Sequence, residues 1–264
     1  MNGAETSVAR EARLAAEIEF FAQRLVDLDL LEWYGGNISV RLGNDLLINR
    51  TRAIATERGA MPVVRTGIFE DHENTPWASS ALAIHRAIYQ RTDAQTIIHA
   101  HPRHATLLSF FVDEIVPVEE NGFLYIGLGA RVIAAPVLYG WNLVADDLAD
   151  ALRDRQAVML KWHGSFVKGD TLDEAMHATR GLNNAAEFIL RLHQHAPYFP
   201  EIHYLPTTVC PVKGGEGTRL LPPELATRAG ESSCSRGQTR FRTLAELAVT
   251  TICTSWVEMQ KQQK

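Results

Sequence analysis

The sequence predicts a single α/β domain with extensions, on three observations. Segments with apolar residues at helical spacing alternate with short β-branched runs, the mixture from which layered α/β domains are built. The 264 residues are 46% hydrophobic and 22% charged, enough to bury one substantial core. Two of the apolar runs, Thr96-Ile97-Ile98-His99-Ala100-His101-Pro102 and Ala157 to Gly164, end in histidine, as buried strands ending at a site do.

Ala9 to Leu31 carries Leu14, Ile18, Phe21, Leu25 and Leu28 at helical spacing, an amphipathic helix packed on a core. After Gly35-Gly36, Asn37 to Arg41 alternates as a strand, and Leu46 to Asn49 returns as its hairpin partner around Gly43-Asn44. Ala53 to Trp77 reads as loop with one short strand at Val63-Val64. Ser79 and Ser80 are N-cap candidates for a helix carrying Leu82, Ile84, His85, Ile88 and Tyr89. Pro102 closes the first histidine strand and opens a helix from Arg103 to Phe111. Ile115 to Val118 and Val132 to Val137 read as strands, with Glu119 to Tyr125 a loop between them. Asn142 to Arg153 reads as a helix feeding the strand that ends in His163. Thr171-Leu172-Asp173-Glu174 has capping-box spacing and starts a long helix to His195, ahead of Pro197. Residues 1–197 are the expected catalytic domain. Residues 198–264 read as an extension, loop plus a final helix from Leu244 to Met259, packing on the same domain or a neighbouring subunit.

A formal charge of −5 and dispersed arginines argue against a nucleic-acid partner. Met1 to Arg13 is polar and the apolar residues after it are interrupted by Glu17, Glu19 and Arg24, so neither a leader nor a membrane span is expected. Cys210, Cys234 and Cys253 are odd in number and lack Cys-x-x-Cys spacing; the expected compartment is the cytoplasm.

On a strand, residues two apart share a face, so His99 and His101 present two imidazoles toward one point. Such a pair can chelate a metal, or can simply be two hydrogen-bonded polar residues at a strand mouth. His163 is a third candidate, with Gly164 permitting a sharp turn after it. Neutral imidazoles on strand ends suit Zn, Fe, Mn or Co, and three protein ligands leave a position open for substrate. Backbone N–H groups around Gly36 can cradle an anion, as can the helix start after Ser79-Ser80. Arg50-Thr51-Arg52 reads either as a carboxylate or phosphate clamp or as a solvated basic turn.

Gly35-Gly36-Asn37-Ile38-Ser39, Ser79-Ser80 with His85, His99-Ala100-His101-Pro102, and His163-Gly164 followed by Gly169 and the Thr171–Glu174 box, in this order and spacing, closely resemble the class II aldolase/adducin family. The resemblance covers roughly Ala9 to His195. It implies a three-layer α/β/α fold around a mainly antiparallel central sheet, one divalent metal ion held by His99, His101 and His163, and a homotetramer with active sites between subunits. Gly36, Asn37, Ser79 and Ser80 match parts of the family's phosphate pocket. Two positions depart from it: Ala81 stands where the sugar-phosphate aldolases have a catalytic glutamate, and Thr51-Arg52 where they have a Thr-Gly phosphate turn.

Alanine cannot move protons as that glutamate does. A three-histidine metal without an adjacent base still stabilises an enolate, and decarboxylation generates one without proton removal. The expected function is therefore a divalent-metal-dependent C–C lyase decarboxylating a hydroxy- or keto-acid, with a small-molecule acid as partner. Aromatic residues near the motifs, Trp33, Tyr34, Trp77, Phe123, Tyr125 and Trp162, point to an aromatic acid if they line the pocket and are otherwise core or interface fillers. The alternatives are a non-haem iron oxygenase resembling aminocoumarin-pathway enzymes, a sugar-phosphate aldolase inactivated at Ala81, and a non-catalytic adducin-like module. Tyr125, Glu120 and His104 are the candidate proton donors, and Gly36, Asn37, Thr51, Arg52, Ser79 and Ser80 the candidate substrate-binding residues.

Overall fold

Period-two alternation along the central strands sorts their side chains into two cores, one on each face of a single sheet. The computed structural model describes residues 6–32, 35–51, 62–137 and 139–195; Trp33, Tyr34, Arg52 and the 198–264 extension lie outside them. The strands are β1 (Asn37–Leu42), β2 (Asp45–Asn49), β3 (Val63–Gly67), β4 (Thr96–Ala100), β5 (Glu114–Ile115), β6 (Ala130–Ile133), β7 (Ala157–Leu160) and β8 (Gly164–Gly169). They form one sheet in the order β3-β2-β1-β4-β8-β7-β6-β5. Every pairing is antiparallel except β6 with β7. The fold is the three-layer, mainly antiparallel α/β/α arrangement that the resemblance implies.

One face carries Ile38, Val40, Leu47, Ile98, Met159 and Val167 against α1 (Ser7–Asp27), α3 (Arg103–Leu108), α4 (Glu120–Ile126) and α6 (Leu172–His195). The other carries Leu46, Ile48, Ile97, Val158, Leu160 and Phe166 against α2 (Leu82–Arg91) and α5 (Ala145–Ala151). Neighbours Ile97 and Ile98 therefore belong to different cores, which is why two consecutive positions of β4 before its histidine are apolar. The α1 stripe Leu14, Ile18, Ala22 and Leu25 is buried at the helical spacing expected.

Both long helices are capped by the chemistry the sequence offers. Thr6 Oγ1 accepts from the Ala9 N–H, starting α1 two residues before the expected Ala9. Thr171 Oγ1 accepts from the Glu174 N–H, while the Glu174 carboxylate reaches back to the Asp170 N–H at 2.9 Å, one residue beyond the usual capping-box partner.

Several expectations need correction. The stretch Glu119 to Tyr125 is helical, not loop: the Glu119 carboxylate accepts from the Asn121 and Gly122 N–H groups at 2.7 and 2.6 Å, so this N-cap organises a helix too short to show periodicity. Neither serine caps α2. Ala81 holds that position, and Ser79 Oγ accepts from the Ala81 N–H at 3.3 Å instead. The strand at Ile115 shrinks to two residues, and β6 begins at Ala130 rather than Val132. The helix expected from Asn142 starts at Ala145, after a 3₁₀ turn over Trp141–Val144.

Ile98 is fully buried in the centre of the sheet. Ile98→Ala should lower unfolding free energy by about 2–5 kcal/mol, read from urea denaturation at constant m-value.

Candidate metal centre

Three imidazoles converge where β4 ends and the β7–β8 turn begins. His99 is the fourth residue of β4 and His101 lies just past the strand, so both project from the same side. His163 comes from the turn, where Trp162 takes the left-handed φ of 66° that reverses the chain before Gly164. His99 Nε2 lies 3.3 Å from His101 Nε2 and 3.2 Å from His163 Nε2. One ligand atom from each residue falls within 4.8 Å of the others.

The surroundings prepare these rings for a cation. His99 Nδ1–H donates to the Ser165 carbonyl at 2.9 Å, which fixes the tautomer and leaves the Nε2 lone pair turned to the centre. Burial holds the His99 pKa well below its ordinary value, and neighbouring His101 and His163 push it the same way. Burial also lowers His101, and with the charge of His101 it brings His163 down to about 4. All three are thus neutral near pH 7, the state a metal needs. Phe166 stacks beneath His99 with ring centres 4.2 Å apart. Gly36, at φ 74°, lies against the His99 carbonyl, and Gly164 against the Ala100 carbonyl and the His101 ring; a Cβ at either position would overlap those atoms. The donor set fits a divalent ion such as Zn, Fe, Mn or Co.

Around the triad, Asn37 pairs with His99 across the β1–β4 ladder and is only 6% exposed. Ser79 is buried and Ser80 exposed at the start of α2. The Asn142 amide donates to the Ser80 carbonyl at 3.4 Å, tying the 3₁₀ turn to that helix start. Thr51 is exposed, its N–H bonded to the Trp77 carbonyl, while the Arg50 guanidinium lies 4.8 Å from the Trp77 ring centre.

None of the three candidate proton donors makes a hydrogen bond or ring contact to the triad within one subunit. Exposed Glu120 opens α4. Tyr125 stacks on His177 at 5.6 Å and lines a cavity of about 460 Å³ with Gln156, Asp173 and Glu174. Gln156 precedes β7 whereas His163 follows it, so that cavity and the triad occupy opposite ends of the sheet. His104 sits on α3, its N–H donating to Asn183 Oδ1 at 3.0 Å and its ring 3.8 Å from Glu187.

Sequence reasoning overlooked the aromatic wall of the centre. Trp141 stacks on His163 at 5.4 Å and 24°, and Tyr139 packs edge-on against Trp141 at 5.6 Å. No periodicity marks these two residues, because they sit in a turn. The expected aromatic Trp162 instead faces outward, 54% exposed, beside Phe110.

Residues 17–190, more than half of the chain, match the profile of the Class II Aldolase and Adducin N-terminal domain. The chain belongs to this family. L-fuculose phosphate aldolase of Escherichia coli K12 is 26% identical over 179 residues, covering 67% of this chain and 83% of that one. The Haemophilus influenzae L-fuculose phosphate aldolase is 24% identical over 182 residues, 69% and 84% of the two chains. Among solved structures, L-fuculose-1-phosphate aldolase from Thermus thermophilus superposes with a TM-score of 0.60 at 30% identity, covering 70% of this chain and 98% of that one. YgbL from Escherichia coli shares the fold, with a TM-score of 0.64 at 23% identity over 74% and 94%. No helix among the described residues is long and apolar enough to cross a membrane.

Protons compete with a cation for these imidazoles, and all three pKa values lie below 6.5. Zinc content after equilibrium dialysis should therefore be level above about pH 6.5 and drop as the His163 value near 4 is approached. The metal-free protein should follow the same sign: unfolded histidines bind protons that the folded ones refuse, so its thermal midpoint falls as pH drops from about 6.5 toward 4. His163→Ala should lose most bound zinc at pH 7 by elemental analysis, with the circular dichroism of the fold retained.

Proposed function

We propose that this protein is a divalent-metal-dependent C–C lyase that decarboxylates a hydroxy- or keto-acid, aromatic acids among them. The observation that carries the reading is that the three-histidine cluster includes no Asp or Glu. Ala81, where the resemblance puts the aldolases' glutamate, occupies the N-cap position of α2 with its methyl group buried and no side-chain cap. A reaction that starts by removing a proton from carbon lacks, among the described residues, the carboxylate that serves as its base in the aldolases. Decarboxylation needs none where a carbonyl stands β to the carboxylate: the carboxylate becomes carbon dioxide, and the electron pair of the broken C–C bond forms the enolate of that carbonyl.

Held by His99, His101 and His163, a divalent ion would supply Lewis-acid charge beside the substrate's oxygen. The remaining work belongs to the chain. The Gly36 backbone, Asn37, Ser79, Ser80, Thr51 and Arg52 hold the anionic group, with Arg52 suited to a bidentate carboxylate or a phosphate. Trp141 lays its indole nearly parallel to His163, with Tyr139 edge-on against it, and this flat surface favours a planar aromatic acid over a bare sugar phosphate. Protonation of the product carbon falls to Tyr125, Glu120 or His104. Tyr125 and Glu120 do so from a neighbouring subunit, in a homotetramer whose sites lie between subunits.

With zinc, manganese, cobalt and ferrous protein prepared anaerobically, a panel of aromatic hydroxy- and keto-acids should release carbon dioxide without oxygen. Turnover that consumes oxygen stoichiometrically would establish the oxygenase and sink the lyase. Vigorous sugar-phosphate cleavage gained by Ala81→Glu alone would show that the alanine merely disables an aldolase. Trp141→Ala should raise KM for an aromatic acid about 3- to 10-fold, the loss of one stacking contact, while a small aliphatic acid is unaffected.

A further inference from the structure

On the α2 side of β1, three polar residues alternate with the apolar ones: Asn37, Ser39 and Arg41. All three are bound to α2 or the turn after it. Asn37 Oδ1 meets His85 Nε2 in a short hydrogen bond. Ser39 Oγ lies 2.7 Å from His85 Nδ1 and 2.8 Å from the Tyr89 hydroxyl. The Arg41 guanidinium donates to the Tyr89 and Ala94 carbonyls. Ser39 and His85 are fully buried and Tyr89 nearly so. The reaction described above uses none of these last three side chains.

Each bond in this chain can run in two directions, and its far end chooses between them. Among the described residues the Tyr89 hydroxyl has Ser39 Oγ as its hydrogen-bond partner, so its proton goes there. Ser39 then gives its own proton to His85 Nδ1. That nitrogen is an acceptor, Nε2 carries the hydrogen, and the Asn37 atom it meets is the carbonyl oxygen. The Asn37 NH₂ group is left without an acceptor among the described residues, and it is not one of their fully buried unpaired atoms, so it stays open to a ligand. The opposite direction would strand the Tyr89 proton in the core and leave the Asn37 carbonyl, rather than its NH₂, as the unpaired end of the amide. Burial lowers the His85 pKa to about 3, so a doubly protonated ring does not interrupt the sequence of bonds.

Asn37 pairs with His99 across the ladder, next to the glycine that lies against the His99 carbonyl. We propose that Tyr89, Ser39 and His85 are positioning residues that lock the Asn37 amide with its NH₂ toward the metal centre, as a donor to a carboxylate or phosphate oxygen of the substrate. Its last step rests on the reading of this centre as the substrate site; the direction of the hydrogen bonds does not.

The test uses the zinc-loaded protein with ¹⁵N-labelled histidine rings at pH 7. His85 is expected as the Nε2–H tautomer, and an Nδ1–H tautomer would overturn the proposal without any ligand present. Titrating inorganic phosphate and, separately, lactate should shift the Asn37 side-chain NH₂ resonance, and the ratio of the two affinities tells which anion the donor serves. The expected tautomer with no response at Asn37 to either anion overturns the reading of this pocket, and the donor role with it. Tyr89→Phe removes the proton that sets the direction: a mixture of His85 tautomers and about 3- to 10-fold weaker anion binding are expected, with zinc content unchanged. Wild-type tautomer and affinity in that variant would overturn the relay. Where Tyr89→Phe fails to fold, the wild-type spectrum still decides.

Discussion

The register of β4 on β8 is the constraint on which the centre depends. Antiparallel pairing sets His99 opposite Phe166 and Ala100 opposite Ser165. From that alignment follow the stacking of Phe166 under the His99 ring and the reach of His99 Nδ1 to the Ser165 carbonyl. A slip of one residue would send His99 into the α6 core and bring Ala100 to the centre. The slip is opposed on both faces at once, because Ile97 and Ile98 are each fully buried in a different core. Cores on both sides thus hold the first ligand in place, and the β7–β8 turn delivers His163 to it.

The two faces of β1 are treated differently. Toward α1 and α6 it contributes Ile38 and Val40; toward α2 it contributes Asn37, Ser39 and Arg41. A buried polar stripe destabilises a fold unless each group is paired. Here α2 supplies the partners at one helical spacing, with His85 and Tyr89 four residues apart on the same face. The sheet thereby carries polar order from the Arg41 end of β1 to the residue beside His99.

Much of this was legible in the sequence, for physical reasons that differ by element. Alternation marked β1, helical spacing α1, apolar runs β4 and β7, the Gly43-Asn44 turn β2 and a capping box α6, because burial of faces and capping of ends both leave a local trace. The histidine triad was legible as two strand ends plus a resemblance. What stayed hidden lies in segments whose conformation is set by one local contact. The helix after Glu119 depends on a single capping carboxylate, and the placement of Trp141 depends on a 3₁₀ turn anchored by Asn142 on Ser80. His85, legible as a helix residue within a motif, shows its partners when β1 and α2 are brought face to face. Such pairings join residues 46 and 50 apart in sequence, beyond any local pattern.

The charge balance of the centre bears on its chemistry. Its imidazoles are neutral, no carboxylate joins the cluster among the described residues, and Asn37 and Ser79, which the resemblance places in the pocket, are uncharged. Ser79 Oγ already accepts from the Ala81 N–H, which leaves the hydroxyl proton free to donate. In the sugar-phosphate aldolases that this sequence resembles, a glutamate would offset part of a bound cation's charge. Among the described residues no carboxylate of the cluster offsets that charge, so a divalent ion on three neutral imidazoles would carry two net positive charges in a low-dielectric setting. An anionic substrate brings the missing negative charge with it. In that respect Ala81 and an acid substrate are complementary: the carboxylate absent from the protein is present on the molecule it would bind.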